Sequence, residues 1–563
     1  MKMTESFVAR WISIGAALIT VLVTANVSMD PVNVSKLLVA SSLGVGMWAI
    51  VIVFNFKTIW KDNKPIFFTT LIYLALGTLT LLVSNAPLAQ NFYGVQGRNT
   101  GFLAYLALAG IMLAASQLRN NKSFTQILYA LFAAGILNVV YCLIALSGND
   151  FIPWNNVYNK ILGTFGNPNF ISAFLGMFIT ALIAYVFKPG LQLSMRLSGV
   201  VIAALALYEV KASDAIQGLV VTAFGVSIVG FYLVRSYFKK NLFTIAYLIS
   251  VANVGAVALA GALQKGPLAK YIYKTSVSLR GEYWDAGITM AKSHPLTGVG
   301  LDTYGDWYRR ARSASAMILP GPSVTTNAAH NVFIDVLAGG GFIFFAAYLA
   351  IFIIALISIL KVTLRNRNYD ALFVALATAW ICYNVQALIS INQIGLAVWG
   401  WLLSGTVIAY EHATRNENLP VGEPRNVPKK QRSHAAETQP GVVLVGVAGF
   451  IVGLIIALPP FMADAGYRSA LKAGQLNAVV AAANRFPLDS LRMAQAVATF
   501  EDNKAFVEAH EMALKAIEYN PDFFDAWRLL GFISTSTPEE KKLANSNLQR
   551  LDPRNKEWKK VAP

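Results

Sequence analysis

The sequence predicts an all-α membrane protein, a polytopic bundle of about 12–13 transmembrane helices with a small helical domain after it. Of the 563 residues, 56% are hydrophobic and only 13% are charged, whereas soluble domains are about a quarter charged. The apolar residues form runs of about 20, the length that a helix needs to cross a bilayer. After the last run, the pattern changes to amphipathic helices rich in alanine.

Thirteen apolar runs are candidates for membrane spans. We interpret the first as a retained anchor and not a cleaved signal, because a whole series of spans follows it. The seventh run is short and the tenth is long, so their ends are the least defined. The runs lie near 9–28, 37–56, 66–84, 100–116, 124–146, 168–187, 197–210, 216–234, 242–263, 331–360, 371–390, 394–411 and 441–462.

Lysine and arginine are concentrated in every second loop, and this asymmetry predicts the orientation of the chain. If the amino terminus is cytoplasmic, the loops on that side carry most of the cations, and an odd number of spans places the carboxyl terminus outside. The short outer loops hold only Lys36, Arg98, Lys160 and Lys211. The predicted units are a membrane core over 1–411 with an outer loop at 264–330, a cytoplasmic linker at 412–440, a last span at 441–462, and an extracytoplasmic helical domain at 463–563.

The net charge of +17 does not predict nucleic-acid binding. The cations lie in short loops, as positive-inside topology requires, and no aromatic and basic module accompanies them. Cys142 and Cys382 both lie inside apolar runs. They are predicted to be packing residues, with no disulfide framework and no metal site.

The last hundred residues show a repeat of 34 and 32 residues between Pro487, Pro521 and Pro553. This period is typical of the helix-turn-helix repeat called TPR, and about three repeats fit. The supporting positions are Ala509, Ala516, Trp527, Leu530 and Gly531, whereas Val497 replaces a small residue. The alternative is a generic helical hairpin. A TPR-like domain would hold a protein or polymer partner.

The long outer loop is basic, and long loops escape the positive-inside rule. Its cations are Lys265, Lys270, Lys274, Arg280, Lys292, Arg309, Arg310 and Arg312. They favour either a site for an anionic substrate at the membrane surface or a solvated face near anionic headgroups.

Five short motifs occur in and before this loop. They are Gly94–Gly101 (GVQGRNTG), Gly163–Phe170 (GTFGNPNF), Ser278–Trp284 (SLRGEYW), His294–Gly300 (HPLTGVG) and Ala329–Asp335 (AHNVFID). In this order they resemble the bacterial O-antigen ligase and polysaccharide polymerase superfamily over roughly residues 60–410. One departure is Ser213-Asp214, where many members have Ser-Arg-Gly. Nearby Lys211 is a candidate substitute for that arginine as an anion contact.

The resemblance implies a GT-C-like glycosyltransferase in the bacterial cytoplasmic (inner) membrane, without a cofactor. Such an enzyme moves a glycan from an undecaprenyl diphosphate carrier to an acceptor hydroxyl on the outer face. Ligation onto a lipid, polymerisation of a glycan and transfer onto protein all stay open.

The charge on a leaving diphosphate is best stabilised by arginine, whose planar fork binds phosphate oxygens bidentately. Arg280 is the first candidate and Arg98 the second, followed by the cluster of Arg309, Arg310 and Arg312. His330 is the candidate base for the acceptor hydroxyl, with an interfacial packing role as the alternative, and Asn331 is its predicted substrate-binding neighbour. Asn167 and Asn169 either contact a sugar or form a turn.

No metal is expected. Glycosyltransferases that use a lipid-linked donor and a metal place acidic residues in the first outer loop, and that loop holds only Asp30 in this chain. Asp302 and Asp306 are candidate carboxylate ligands, but the favoured interpretation is that they neutralise the adjacent arginines. The alternative function is a transporter or flippase for a lipid-linked glycan, which would need paired ionisable residues inside the spans. Glu209, Lys211 and Asp214 lie only at a span edge.

Overall fold

A computed structural model describes residues 2–415 and 440–560 of the chain. Every regular element in these two ranges is a helix, which confirms the predicted all-α polytopic bundle. Ten of the described helices are long and apolar enough to cross a membrane, and two shorter apolar helices accompany them. Most of the predicted linker at 412–440 lies outside the described residues.

The helices before the long loop are bounded as follows. They are α1 (Lys2–Val21), α2 (Asn33–Ile50), α3 (Phe56–Asp62), α4 (Lys64–Val83), α5 (Leu88–Tyr93), α6 (Phe102–Ala115), α7 (Asn121–Leu146), α8 (Pro168–Val186), α9 (Leu193–Ala212), α10 (Ile216–Tyr237) and α11 (Asn241–Ala262). A π-helical turn at Val51–Asn55 joins α2 to α3, so the second span continues to Asp62.

The remaining helices form the loop, the last spans and the carboxyl-terminal domain. They are α12 (Ala269–Ile272), α13 (Thr275–Ser293), α14 (Tyr304–Ala311), α15 (Val332–Arg365), α16 (Ala371–Ala387), α17 (Ile394–Thr414), α18 (Pro440–Ala473), α19 (Leu476–Ala483), α20 (Ser490–Asp502), α21 (Phe506–Tyr519), α22 (Phe524–Phe532), α23 (Pro538–Leu551) and α24 (Glu557–Lys560).

Glycines let the helices α6 and α18 pack closely against α2. A Cβ atom at Gly44 of α2 would lie 2.3 Å from the carbonyl oxygen of Ala107 in α6. On another side of α2, a Cβ at Gly453 of α18 would lie 2.4 Å from the carbonyl oxygen of Ser41. Small residues permit such backbone contact between membrane helices. The helix that leads into the carboxyl-terminal domain is therefore anchored in the core.

The connections predicted to be extracytoplasmic meet on one face of the bundle. The backbone N–H of Asp30 donates to Asp464 Oδ2 at 2.9 Å, and the side chain of Asn33 donates to the carbonyl oxygen of Gly97 at 2.7 Å. The carboxyl-terminal domain packs on the same face. These contacts agree with the alternation of loops that the sequence predicts, while the side of the membrane that this face occupies stays a prediction.

The opposite face gathers the connections predicted to be cytoplasmic. Glu5 of α1 accepts hydrogen bonds from the backbone N–H groups of Arg119 and Asn120 at 2.8 and 2.7 Å. Arg365 at the end of α15 lies 3.1 Å from Glu411 at the end of α17. Both contacts fix helix ends that lie on the face opposite the long loop.

The carboxyl-terminal domain is a stack of consecutive short helices with its own apolar core. Helix α18 runs without interruption through the predicted boundary at 462/463, and its last turns contribute Tyr467 and Ala470 to that core. Helices α20 and α22 begin at 490 and 524, the 34-residue spacing that the prolines predict. Whether the repeats belong to the TPR class stays a prediction.

The tenth predicted span is not one straight helix. Helix α15 is broken at Gly341, whose φ of +76° is left-handed. The turn at Gly298–Gly300 of the long loop fills the break. The N–H groups of Val299 and Gly300 donate to the carbonyl oxygens of Ala338 and Gly339 at 2.9 and 3.0 Å. The loop and the first half of α15 therefore form one packed unit.

Gly298→Ala is expected to lower the free energy of unfolding by about 2 kcal/mol or more. The φ of Gly298 is +63°, and a Cβ there would lie 2.3 Å from the carbonyl carbon of Gly339. Thermal unfolding of the purified protein measures the loss. Gly255→Ala in α11 is the matched control, because a Cβ there meets nothing within 4 Å. Equal unfolding midpoints for the two variants would contradict the packing argument.

Candidate active site

Helix α13 brings Arg280 beside His330. Arg280 and Tyr283 are three residues apart and therefore share one face of the helix. The Tyr283 ring lies against the His330 ring, with 5.6 Å between centroids and 30° between planes. The Tyr304 hydroxyl donates to the carbonyl oxygen of Tyr283 and fixes this part of α13.

The backbone at His330 is held in an unusual conformation by its neighbours. Its φ is +54°, in the left-handed region. Asn331 caps α15, accepting from the backbone N–H groups of Phe333 and Ile334 at 3.0 and 3.2 Å. Asp335 accepts from the N–H of Ala329 at 2.7 Å. A strained conformation kept by several contacts is typical of functional sites.

Arg98 approaches the same region from the loop before α6. Its Nε lies 3.0 Å from Asp302 Oδ1, and both side chains are buried. A terminal nitrogen donates to the carbonyl oxygen of Asn327, three residues before His330. Asp302 therefore pairs with Arg98, and the prediction that it neutralises the arginines following it in sequence is wrong.

The electrostatics of His330 keep its imidazole in the uncharged form, which is able to accept a proton. Burial, and then repulsion by Arg280 and by Arg98, lowers the pKa of His330 to about 4. At neutral pH the imidazole is therefore uncharged, the form that a general base requires. No hydrogen bond joins His330 to another group in the part of the chain that the structure describes.

Arg280 is a cation without a protein partner among the described residues. It is half-buried, and burial lowers its pKa, but a guanidinium stays charged in proteins. Removing a charge partly from water without a counter-ion is unfavourable. The site formed by Arg280 and His330 is therefore suited to an anion next to a hydroxyl that loses its proton.

A pH profile tests the state of His330. Because its pKa is lowered to about 4, the neutral form persists well into the acid range, and protonation removes the base only as the pH falls through that value. We expect kcat/KM for the donor to stay level from about pH 7.5 to 5.5 and to fall near pH 4, since this ratio reports the free enzyme. Circular dichroism at each pH controls for unfolding. A fall in kcat/KM centred near pH 6.5 would show that the pKa of His330 is not lowered by its surroundings.

The arginine cluster contacts the carboxyl-terminal domain and not His330. Arg312 is completely buried and donates to both carboxylate oxygens of Asp552 at 2.6 and 2.7 Å. Arg309 lies 3.5 Å from the same carboxylate, and Arg310 lies 3.2 Å from Asp522. The prediction that these three arginines bind the diphosphate is not supported by their positions, because each already has an acidic partner.

The other predicted site residues lie apart from His330 or have structural contacts. Asn167 caps α8 through the N–H of Asn169 at 2.8 Å, which is the turn alternative. Lys211 is exposed at the end of α9. Next to it, Asp214 pairs with Lys274, at 3.5 Å, just before α13. The sugar-binding and anion-binding roles proposed for these residues stay predictions.

His294 and Asp306 have local protein contacts. His294 lies 3.0 Å from the Ser293 hydroxyl, with its ring against Trp307, which agrees with the structural role predicted for it. Asp306 accepts from Gln90 at 2.9 Å and from Asn520 at 3.2 Å, and burial raises its pKa to about 6. Within the described residues, no three His, Cys, Asp or Glu side chains form a metal-binding group.

Two residues of the site had no role in the sequence predictions. Tyr283 lies in a quoted motif, but only the structure shows that its ring packs on His330. Asp335 is in the first turn of α15, where a carboxylate commonly interacts with free backbone N–H groups. An acidic residue five positions after His330 was the available signal.

The fold defines a multi-pass membrane protein whose long loop brings Arg280 and His330 together on one face. Residues 169–349, about a third of the chain, match the family model for O-antigen ligase, so this segment is similar to the domain of that family. The match includes Arg280 and His330, but it stops before the carboxyl-terminal domain. Such a domain indicates a membrane ligase or polymerase of the glycosyltransferase type. No curated protein matches the chain.

Proposed function

We propose that this protein transfers a glycan from an undecaprenyl diphosphate carrier to an acceptor hydroxyl on the outer face of a bacterial cytoplasmic membrane. The observation that carries the proposal is the unpartnered Arg280 beside the neutral His330 within the segment that is similar to the O-antigen ligase domain. The amino terminus is then cytoplasmic, and the carboxyl-terminal domain is extracytoplasmic.

The proposed step is a direct displacement at the anomeric carbon. The acceptor oxygen forms a bond to this carbon as the bond to the diphosphate oxygen breaks, and the configuration inverts. His330 takes the hydroxyl proton, while Arg280 binds the departing undecaprenyl diphosphate through two N–H groups. Arg98, held by Asp302, adds positive potential at the imidazole. A diphosphate is already a good leaving group, so stabilising its charge is the main requirement.

The acceptor can be a lipid, a growing glycan or a protein hydroxyl. A carboxyl-terminal domain on the same face as the site slightly favours a polymer or protein acceptor. If its helices form TPR-like repeats, they would offer a groove for such a partner. The proposal needs no cofactor and no metal, because Arg280 and His330 supply the charge and the base.

One observation favours the alternative, a transporter for lipid-linked glycans. Glu209, in the last turn of α9, is completely buried, and neither carboxylate oxygen has a hydrogen-bond partner among the described residues. Ionisable residues inside membrane spans often mark transport pathways. A transporter would move the lipid-linked glycan intact, whereas a transferase breaks its bond to diphosphate.

The reaction itself separates the two functions. Purified full-length protein is incubated with an undecaprenyl diphosphate-linked glycan and candidate acceptors, without added metal. The proposal predicts release of undecaprenyl diphosphate and a glycosylated acceptor. A glycan that crosses liposome membranes but stays attached to its carrier would support the transporter and refute the transferase.

A further inference from the structure

A single carboxylate near the carboxyl terminus holds two arginines of the long loop. Asp552 follows α23 and is completely buried. Both of its oxygens accept hydrogen bonds from Arg312, and Arg309 lies 3.5 Å away. The Trp558 indole also donates to Oδ2 at 3.3 Å. Removing one partner of a buried ion pair leaves an uncompensated charge and is strongly unfavourable.

Further contacts continue this interface along α14. The Arg309 guanidinium stacks on the Phe524 ring, 4.0 Å from its centroid, and Arg310 pairs with Asp522. At the other end of α14, Asp306 accepts from Asn520 of the carboxyl-terminal domain. Helix α14, which is part of the long loop, is therefore held against the carboxyl-terminal domain at both of its ends.

The other side of α14 supports the candidate active site. Tyr308 is completely buried, and its ring lies 5.7 Å from the Tyr283 ring in an edge-on arrangement. Tyr304 donates to the carbonyl oxygen of Tyr283. Tyr283 in turn packs on His330 and is three residues from Arg280. Helix α14 is thus the element between Asp552 and the two proposed catalytic side chains.

We propose that Asp552 is a positioning residue: through Arg312 and α14 it holds Tyr283, and with it His330 and Arg280, in the arrangement that transfer requires. Its effect on catalysis rests on the proposed function, while its effect on the loop does not. The carboxyl-terminal domain is then part of the catalytic unit and not only a module for an acceptor.

Asp552→Asn in the full-length protein tests this, because asparagine keeps the size and one acceptor oxygen but removes the charge. We expect kcat to fall roughly 10²-fold, since displacements of about 1 Å at a site have such effects, with a smaller change in KM for the donor. The acid limb of the pH profile should move up from its wild-type position as His330 becomes more hydrated. Asp552→Glu should restore part of the activity.

Asp525→Asn is the matched control. Asp525 lies in the same domain and pairs with Arg528 at 3.1 Å, but both side chains are nearly half exposed. We expect less than about a twofold change in kcat, because exposed ion pairs contribute little. Asp522→Asn, which removes the partner of Arg310 at the interface, is the second variant if Asp552→Asn does not fold. It should act in the same direction as Asp552→Asn.

Hydrogen exchange makes the test independent of activity. Asp552→Asn should speed amide exchange in residues 278–285 of α13, which do not contact Asp552, as well as in 304–312, while Asp525→Asn should not. Faster exchange confined to 538–560 would overturn the proposal. If α13 loosens as expected but the wild-type protein transfers no glycan, the positioning role stands and the proposed function fails.

Discussion

His330→Ala is expected to lower the rate of glycan transfer roughly 10²–10⁴-fold, the usual contribution of a general base. His330 is the imidazole next to the unpartnered Arg280, and its lowered pKa keeps it neutral. The measurement is the initial rate of carrier release in the purified system. The backbone of His330 is in the left-handed region, which asparagine tolerates better than alanine does. His330→Asn should therefore be equally inactive without added backbone strain.

His294→Ala is the control from the same loop. His294 contacts Ser293 and Trp307, and no contact joins it to His330 in the described residues. Its loss should change the rate by no more than a few fold. Near-normal transfer by either His330 variant, with normal expression and folding, would exclude the base role.

Arg280→Lys is expected to reduce kcat by roughly 10 to 10²-fold, and Arg280→Ala by more. Lysine keeps the charge but not the planar fork that binds two phosphate oxygens at once. The leaving group gains charge in the transition state, so the loss should appear in kcat and kcat/KM alike. Steady-state kinetics with the lipid-linked donor measures both.

Lys292→Ala is the control for Arg280. It removes a positive charge from the same helix, at an exposed position in the last turn. We expect almost unchanged kinetics, because an exposed charge is screened by salt. Full activity of Arg280→Lys would show that the site needs only a point charge, and full activity of Arg280→Ala would remove Arg280 from the mechanism.

The fold could largely be predicted from the sequence, because apolar runs of span length are a strong and local signal. The break at Gly341 could not, since the run around it is continuously apolar. The turn that fills the break lies about forty residues earlier, and its packing on α15 is a tertiary contact that no periodicity records.

The candidate site was partly predictable. His330 and Arg280 lie in motifs whose residue types suit the chemistry, and the structure places them together. The sequence alone suggests the substrate as the partner of Arg309, Arg310 and Arg312, because their acidic partners lie far along the chain: Arg312 and Asp552 are 240 residues apart. Asp302 likewise pairs with Arg98 and not with its sequence neighbours. Charge patterns reveal which cations exist, but only the fold reveals which of them lack a partner.

The anomeric configuration of the transferred sugar tests the central claim most directly, namely direct displacement of a diphosphate held by Arg280 as His330 takes the proton. Nuclear magnetic resonance of the product, with quantification of the released lipid, gives both quantities in one reaction. The account predicts a configuration inverted from that of the donor and one undecaprenyl diphosphate released for each glycan transferred. Retention of configuration, or release of the carrier as a monophosphate, would contradict it.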